Sequence, residues 1–293
     1  MAQHFLAFAL IAPVPGTAVA STWWSASGPS TLPALGITLV VAVVAWHNRS
    51  LGTSGAIAAT VVGTLSLRAG WPWGGFLMVW FAWATLGSRL GRARKDARTA
   101  GVVEKGAQRD ASQVMANGGI FALAAAVASA SGDPASDTAL WGAAALSAAG
   151  ADTMATEIGT WVGGTPRSVR TWSTVPTGTS GAVSVAGSAA MVGSALVLTA
   201  FAVAFGLVPV ARWWIVAGAA VFGALVDTAV GALVQERRWC PLCDTATEQR
   251  RHTCGTFTRH RGGWRRLGND AVNLVCTAAA AMLAWLIVQA MPA

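Results

Sequence analysis

Charge is what this chain most lacks: Asp, Glu, Lys and Arg make up 11% of its 293 residues, against about 25% in an average soluble domain. That excludes water as its main solvent. There is no tyrosine, and three of the four cysteines fall in one basic stretch near the C-terminus. Such a set is not the dispersed, even-numbered framework of a disulfide-stapled protein, and a reducing compartment fits it better. The signatures of soluble nucleotide and metalloprotease folds are also missing. There is no Gly-x-x-x-x-Gly-Lys-Ser/Thr loop, no Gly-x-Gly-x-x-Gly after a strand pattern and no His-Glu-x-x-His. His47, His252 and His260 lie in loop-like stretches without a placed nucleophile, so Ser-His-Asp hydrolysis is unsupported.

What the chain has instead is hydrophobic length. Apolar residues make up 54% of it, and stretches approaching the roughly 20 residues needed to cross a bilayer recur throughout. The pattern predicts spans near 3–20, 31–46, 53–68, 72–88, 112–131, 138–162, 181–206, 210–234 and 269–290. The expected fold is all-α, a polytopic transmembrane helical bundle of about nine spans (7–9), forming a single domain over 1–293. The first span ends in Ala18-Val19-Ala20, like a signal-peptide cleavage site, but its only positive groups are His4 and the α-amino group. Pro13, Pro15 and Gly16 point to a kinked span instead.

The +8 net charge reads as orientation, not as nucleic-acid binding, because Lys and Arg collect on the cytoplasmic side of membrane proteins. With the N-terminus cytoplasmic, all 20 basic residues except Arg68 and Arg212 fall inside. The expected location is the cell (inner) membrane, multi-pass, with the lipid bilayer as first partner and homo-oligomerisation left open. The connections at 89–111, 163–180 and 235–268 are long and cytoplasmic in this scheme, and long loops tend to carry function.

Ionisable residues inside spans cost at least about 2.5 kcal/mol each, so each needs a reason. Asp152 and Glu157 lie in one span, Asp227 in another, and Asp270 opens the last. Asp152 and Asp227 sit at similar depth, each followed by Thr. Such a pair suits Mg²⁺, which takes one or two carboxylates plus substrate phosphates; the alternative is buried carboxyl groups hydrogen-bonded to neighbouring helices. Arg109, Gln113 and Asn117 recur at i, i+4 and i+8 and share one helical face. Asn269 and Asn273 repeat that spacing around Asp270 at the same membrane face. Together they predict a polar pocket facing the cytoplasm.

Gly52-Thr53-Ser54-Gly55-Ala56 recurs as Gly178-Thr179-Ser180-Gly181-Ala182, each time before an inside-to-outside span. Helix N-termini offer free N–H groups and positive dipole to phosphate, and glycine allows close approach. Plain helix capping by Ser and Thr is the other reading. The repeat is also compatible with a parallel internal duplication. In the last loop, Cys240-Pro241-Leu242-Cys243 has the spacing that clamps a tetrahedral metal, and Cys254 with His252 or His260 can complete it. A zinc knob over 235–268 and a flexible loop of reduced thiols are both open. Trp23, Trp24, Trp71, Trp73, Trp213 and Trp214 read as anchors at the outer boundary, and Cys276 as a packing residue.

Ordered motifs from about residue 48 onward carry a resemblance. They are Arg109-Asp110-Ala111-Ser112-Gln113-Val114 with Asn117-Gly118-Gly119, Ala151-Asp152-Thr153 with Glu157-Ile158-Gly159, and Pro176-Thr177-Gly178-Thr179-Ser180-Gly181. Asp227-Thr228 with Gly231 and Gln235, the Cys240/Cys243/Cys254 set and Asn269-Asp270-Ala271-Val272-Asn273 complete the order. In these the chain resembles the integral membrane family that includes the plastid phytyl-phosphate kinase and transmembrane protein 19. Thr228 stands where that pattern has Ser. The resemblance implies phosphoryl transfer from a nucleoside triphosphate to a prenyl (phytyl-like) monophosphate, giving the diphosphate with Mg²⁺. Asp152 and Asp227, with Glu157 as a further candidate, would hold the metal. Arg109, Arg167, Gln113, Asn273 and the two glycine strings would meet phosphates, and Asn117, Asn269 and Asp270 would orient them. Two rival functions are another lipid-phosphate nucleotidyl- or phosphotransferase, and a transporter or flippase.

Overall fold

A computed structural model describes residues 28–102, 108–133 and 137–291. The expected span 3–20 with its cleavage-like end, and Trp23, Trp24 and Lys105, lie outside the described residues. The helices are α1 Thr31–His47, α2 Thr53–Ala69, α3 Trp71–Arg89, the short α4 Arg92–Thr99, α5 Ala111–Ser131, α6 Asp137–Val162, α7 Val185–Ala204, α8 Trp213–Leu233 and α9 Asn269–Ala290. All but α4 are 17 to 26 residues long. The all-α polytopic bundle expected from hydropathy is what the chain forms. By length and composition, α5, α7, α9 and the unit Val210–Leu233 can each cross a membrane unaided.

Helix α6 is the centre of the bundle and packs against α3, α4, α5, α7, α8 and α9. Its residues from Ala139 to Ala151 are buried with the single exception of Trp141, and nearly all are Ala, Gly or Ser. Small side chains let helix backbones approach closely where lipid supplies no hydrophobic drive. At Gly150 a β-carbon would lie 2.2 Å from the Leu198 side chain of α7, so any larger residue there must push Leu198 aside. Helix α1, by contrast, turns Leu32, Leu39, Val40 and Val43 outward, the pattern of a surface that meets hydrocarbon.

Three expectations change. The span expected from 181 begins at Val185, where Ser184 caps it by accepting the Gly187 N–H at 3.1 Å. Ala182–Val183 forms β2 and pairs antiparallel with β1, Arg167–Ser168, so those residues are held in a ladder and not in a helix. Trp73 is no boundary anchor: it is fully buried, with its ring 5.1 Å from that of Phe121, while Trp71, Trp213 and Trp214 are exposed. The long connections are also structured. The last one holds strands β3 Arg237–Cys240, β4 Thr245–Thr247 and β5 Arg259–Gly262 in the order β4-β3-β5, all antiparallel.

Candidate functional site

At the arginine-rich end of the bundle lies a cavity of about 930 Å³. Its floor is made by α5, α6, α8 and α9, and its rim by α4, the β1–β2 loop and the segment after α8. Both Asp152 and Asp227 line it, with their carboxyl groups close enough to interact.

Helix packing one turn away explains the meeting. At Gly223 of α8 a β-carbon would lie 3.0 Å from the Ala148 β-carbon of α6 and 2.7 Å from the Cys276 carbonyl of α9. Three helices therefore touch at this level. Asp227 follows Gly223 by four residues and Asp152 follows Ala148 by four, so each carboxylate lies one turn further along the face already in contact. Helix α9 runs the other way, and Asn273, three residues before Cys276, comes to the same cavity. Asp227 Oδ2 and Asn273 Oδ1 are buried without a hydrogen-bond partner among the described residues. Buried polar atoms are rarely left so, and each such exception calls for an explanation.

The α5 stripe divides by role. Asp110 accepts the Gln113 N–H at 3.0 Å, while the Gln113 side-chain oxygen accepts the Asp110 N–H at 3.1 Å. Gln113 thus closes a capping box and also lines the cavity. Arg109 lines the cavity, but its guanidinium donates to the Ala84 carbonyl and the Ser88 hydroxyl, both at 3.1 Å on α3. Asn117, Asn269 and Asp270 line the cavity too, and Ser112 donates to Asp270 at 2.6 Å, fastening α5 to α9.

The two glycine strings fare differently. Gly52 caps α2, yet its N–H donates to the Arg109 carbonyl at 2.9 Å. A β-carbon at Gly55 would fall 2.0 Å from that same carbonyl, and Ser54 accepts the Ala111 N–H at 3.3 Å. Gly55 is pressed against protein, Thr53 and Ser54 are exposed, and all of Gly52, Thr53, Ser54 and Gly55 lie outside the cavity wall, whereas Gly178, Thr179, Ser180 and Gly181 are part of it. Gly181 adopts φ +71° with its Cα against Ala232 of α8, where a β-carbon would come to 2.4 Å. Arg167 turns to its own loop, donating to the Trp172 carbonyl at 2.8 Å. Glu157 lines the cavity but is paired with the buried Lys95, which competes with the metal role expected of it.

Sequence reasoning passed over the rim. Lys95, Arg238, Arg250 and Arg266 line the cavity, and the only signal for them was membership of long basic loops. Burial works to raise the Glu236 carboxyl, but the Arg266 N–H at 2.9 Å and Arg238 at 2.6 Å hold it below the ordinary glutamate range. Beside the cavity, ligand atoms of Cys240, Cys243, His252 and Cys254 all lie within 4.8 Å of one another. Hydrogen bonds from Thr256 and His252 bring the Cys254 thiol down to about 6. Its bond to Cys254 pushes Cys243 up to about 11.

A bundle of apolar helices that gathers carboxylates, amides and basic side chains at one end defines a polytopic integral membrane protein with a polar cavity. The chain belongs to the family described as integral membrane protein DUF92, which matches residues 36–281. Among curated proteins it is similar to Protein PGR of Arabidopsis thaliana, 27% identical over 262 residues, which cover 82% of this chain and 89% of that one. No solved structure matches it.

Proposed function

We propose that the cavity is the active site of a membrane lipid kinase that transfers a phosphoryl group from a nucleoside triphosphate to a prenyl monophosphate. The observation that carries this reading is the contact between Asp152 and Asp227 on the cavity floor, with Asp227 Oδ2 left without a partner. Adjacent carboxylates repel unless a proton or a cation lies between them, and a hard oxygen set that opens on a polar cavity fits Mg²⁺. Asp152 and Asp227 would hold the ion, which would supply charge neutralisation for the phosphates.

The chain's own residues supply position. Asn117, Asn269 and Asn273 offer amide groups to the phosphates, and exposed Arg92 and Arg266 offer guanidinium groups at the rim. The Gly178–Gly181 turn lets backbone come close to an anion. Arg109, held by neutral acceptors on α3, makes the wall electropositive, while Lys95 is balanced by Glu157. A phosphate monoester is already anionic, so its oxygen attacks the γ-phosphorus without a strong base while the bond to the β–γ bridging oxygen breaks. Met191 of α7 and half-exposed Leu225 of α8 also line the cavity, an apolar side on which a prenyl chain can leave toward lipid. The strong bias of Lys and Arg to this end supports a cytoplasmic position for the cavity, where nucleotides are.

The test uses full-length protein in nanodiscs with Mg²⁺, γ-labelled nucleoside triphosphates and a panel of prenyl monophosphates. Label is expected in the prenyl diphosphate, with release of nucleoside diphosphate. Asp227→Asn should lower turnover by about 10²-fold or more. Release of pyrophosphate would instead identify nucleotidyl transfer, and no transfer with any pair would end the kinase reading.

A further inference from the structure

We infer that Cys240, Cys243, His252 and Cys254 form a zinc centre that holds the segment after α8 against the cavity mouth. The inference does not depend on the phosphotransfer reading.

Cys240 ends β3, Cys243 follows in the β3–β4 turn, and His252 and Cys254 come from the β4–β5 loop. Sequence separation therefore gives way to one cluster, in which each residue contributes one ligand atom. Cys240 Sγ and Cys254 Sγ lie 3.6 Å apart, and His252 Nδ1 lies 3.3 Å from Cys254 Sγ. With Zn–S bonds of about 2.3 Å, the edge of a tetrahedron is about 3.8 Å. The spacing matches that edge, whereas a disulfide would draw two sulfurs to about 2.05 Å and strand the third.

The segment also needs something to hold it. Its large apolar residues Leu242, Phe257 and Trp264 are 70%, 75% and 68% exposed, so β3–β5 enclose no hydrophobic core. Cys240 and His252 are among the few buried side chains there, with Thr247 and Thr258. Small domains without a core use a structural metal in its place. The neighbouring arginines offset the surplus negative charge of three thiolates on one Zn²⁺.

The same segment touches the mouth at two points. The Glu248 N–H donates to the Val102 carbonyl at 2.9 Å, tying β4 to the chain after α4. Glu248 also accepts hydrogen bonds from the Ser180 hydroxyl and N–H in the second glycine string. At Gly101, with φ +84°, a β-carbon would sit 3.0 Å from the His252 ring. A zinc-held sheet thus fixes the position of the 178–181 wall.

Metal content of the purified full-length protein, measured by plasma mass spectrometry, should give about one zinc per chain. Cys243→Ser and Cys254→Ser should each lower it about tenfold. Because those variants can also misfold, wild-type protein is treated with a strong chelator and digested briefly with trypsin. Cleavage at the arginines between β3 and β5 should rise several-fold and fall again when zinc is restored. Zinc absent from the native protein, a disulfide between any of the three cysteines on non-reducing peptide mapping, or cleavage indifferent to the chelator would each overturn the inference.

Discussion

Two carboxylates in contact inside a helical bundle are the residue-scale feature from which metal dependence follows. If a cation settles between Asp152 and Asp227, Mg²⁺ binds the folded protein alone and stabilises it by about 2.7 kcal/mol at a hundredfold excess over its dissociation constant. Asp227→Asn removes one of two like charges, so that variant should melt no lower than wild type in chelator and should lose the Mg²⁺-induced rise. Thermal unfolding in nanodiscs reads both, and a rise of equal size in the variant would contradict the metal role. Glu236 supports a second prediction. Its carboxylate takes the Arg266 N–H and the Arg238 guanidinium, and charge-assisted bonds are each worth about 1.5–3 kcal/mol. Glu236→Gln should therefore destabilise the loop. Because the folded value lies below the ordinary 4.5, the difference from wild type should be full above that pH and shrink as pH falls through the lowered value. The Asp pair was legible in the sequence because hydrocarbon makes any carboxylate conspicuous. Gln113 reads two ways in the sequence, and the structure shows both: its i, i+4 neighbours place it on the cavity wall, while Asp110-x-x-Gln113 also spells the capping box it closes.

Among the elements, α6 shows how small side chains set the geometry of the cavity floor. Gly223 of α8 admits Ala148 and the Cys276 backbone at once, and that crossing sets the height at which Asp152 and Asp227 meet. Gly223→Val would drive a branched side chain into backbone, where overpacking costs about 1–3 kcal/mol or more. The variant should melt lower than wild type and, in the fraction that stays folded, bind Mg²⁺ more weakly. Calorimetric titration of that folded fraction checks this, and unchanged affinity would separate helix packing from the site. The glycine strings mark what sequence could not resolve at this scale. In one copy Gly52 caps α2 and the next four residues begin it, while in the other residues 178–181 form a turn ahead of β2, because Ala182 and Val183 pair with Ser168 and Arg167. A local string does not report a partner some fifteen residues upstream. The parallel helix starts that suggested duplication are accordingly not alike.

At the scale of the whole molecule, hydropathy was enough for the bundle, since eight described helices of 17 to 26 residues fall close to the expected spans. The cavity rim was not legible, because polar loops follow no period and their pairing is settled by hydrogen bonds between distant segments. Orientation is the remaining global property, and the charge pattern makes it testable. Among the described basic residues, Arg68 and Arg212 are the two at the end away from the cavity, where Arg212 meets Asp137 at 2.9 Å. If the basic loops are retained in the cytoplasm, the cavity faces inward. Val210, 74% exposed at the far end, is the reporter of choice. In intact cells a membrane-impermeant thiol reagent should label Val210→Cys while the native Cys243 and Cys254 stay unlabelled until the cells are permeabilised. Labelling of the native cysteines in intact cells would invert the bundle and place the cavity on the side without nucleoside triphosphates, which a kinase cannot use.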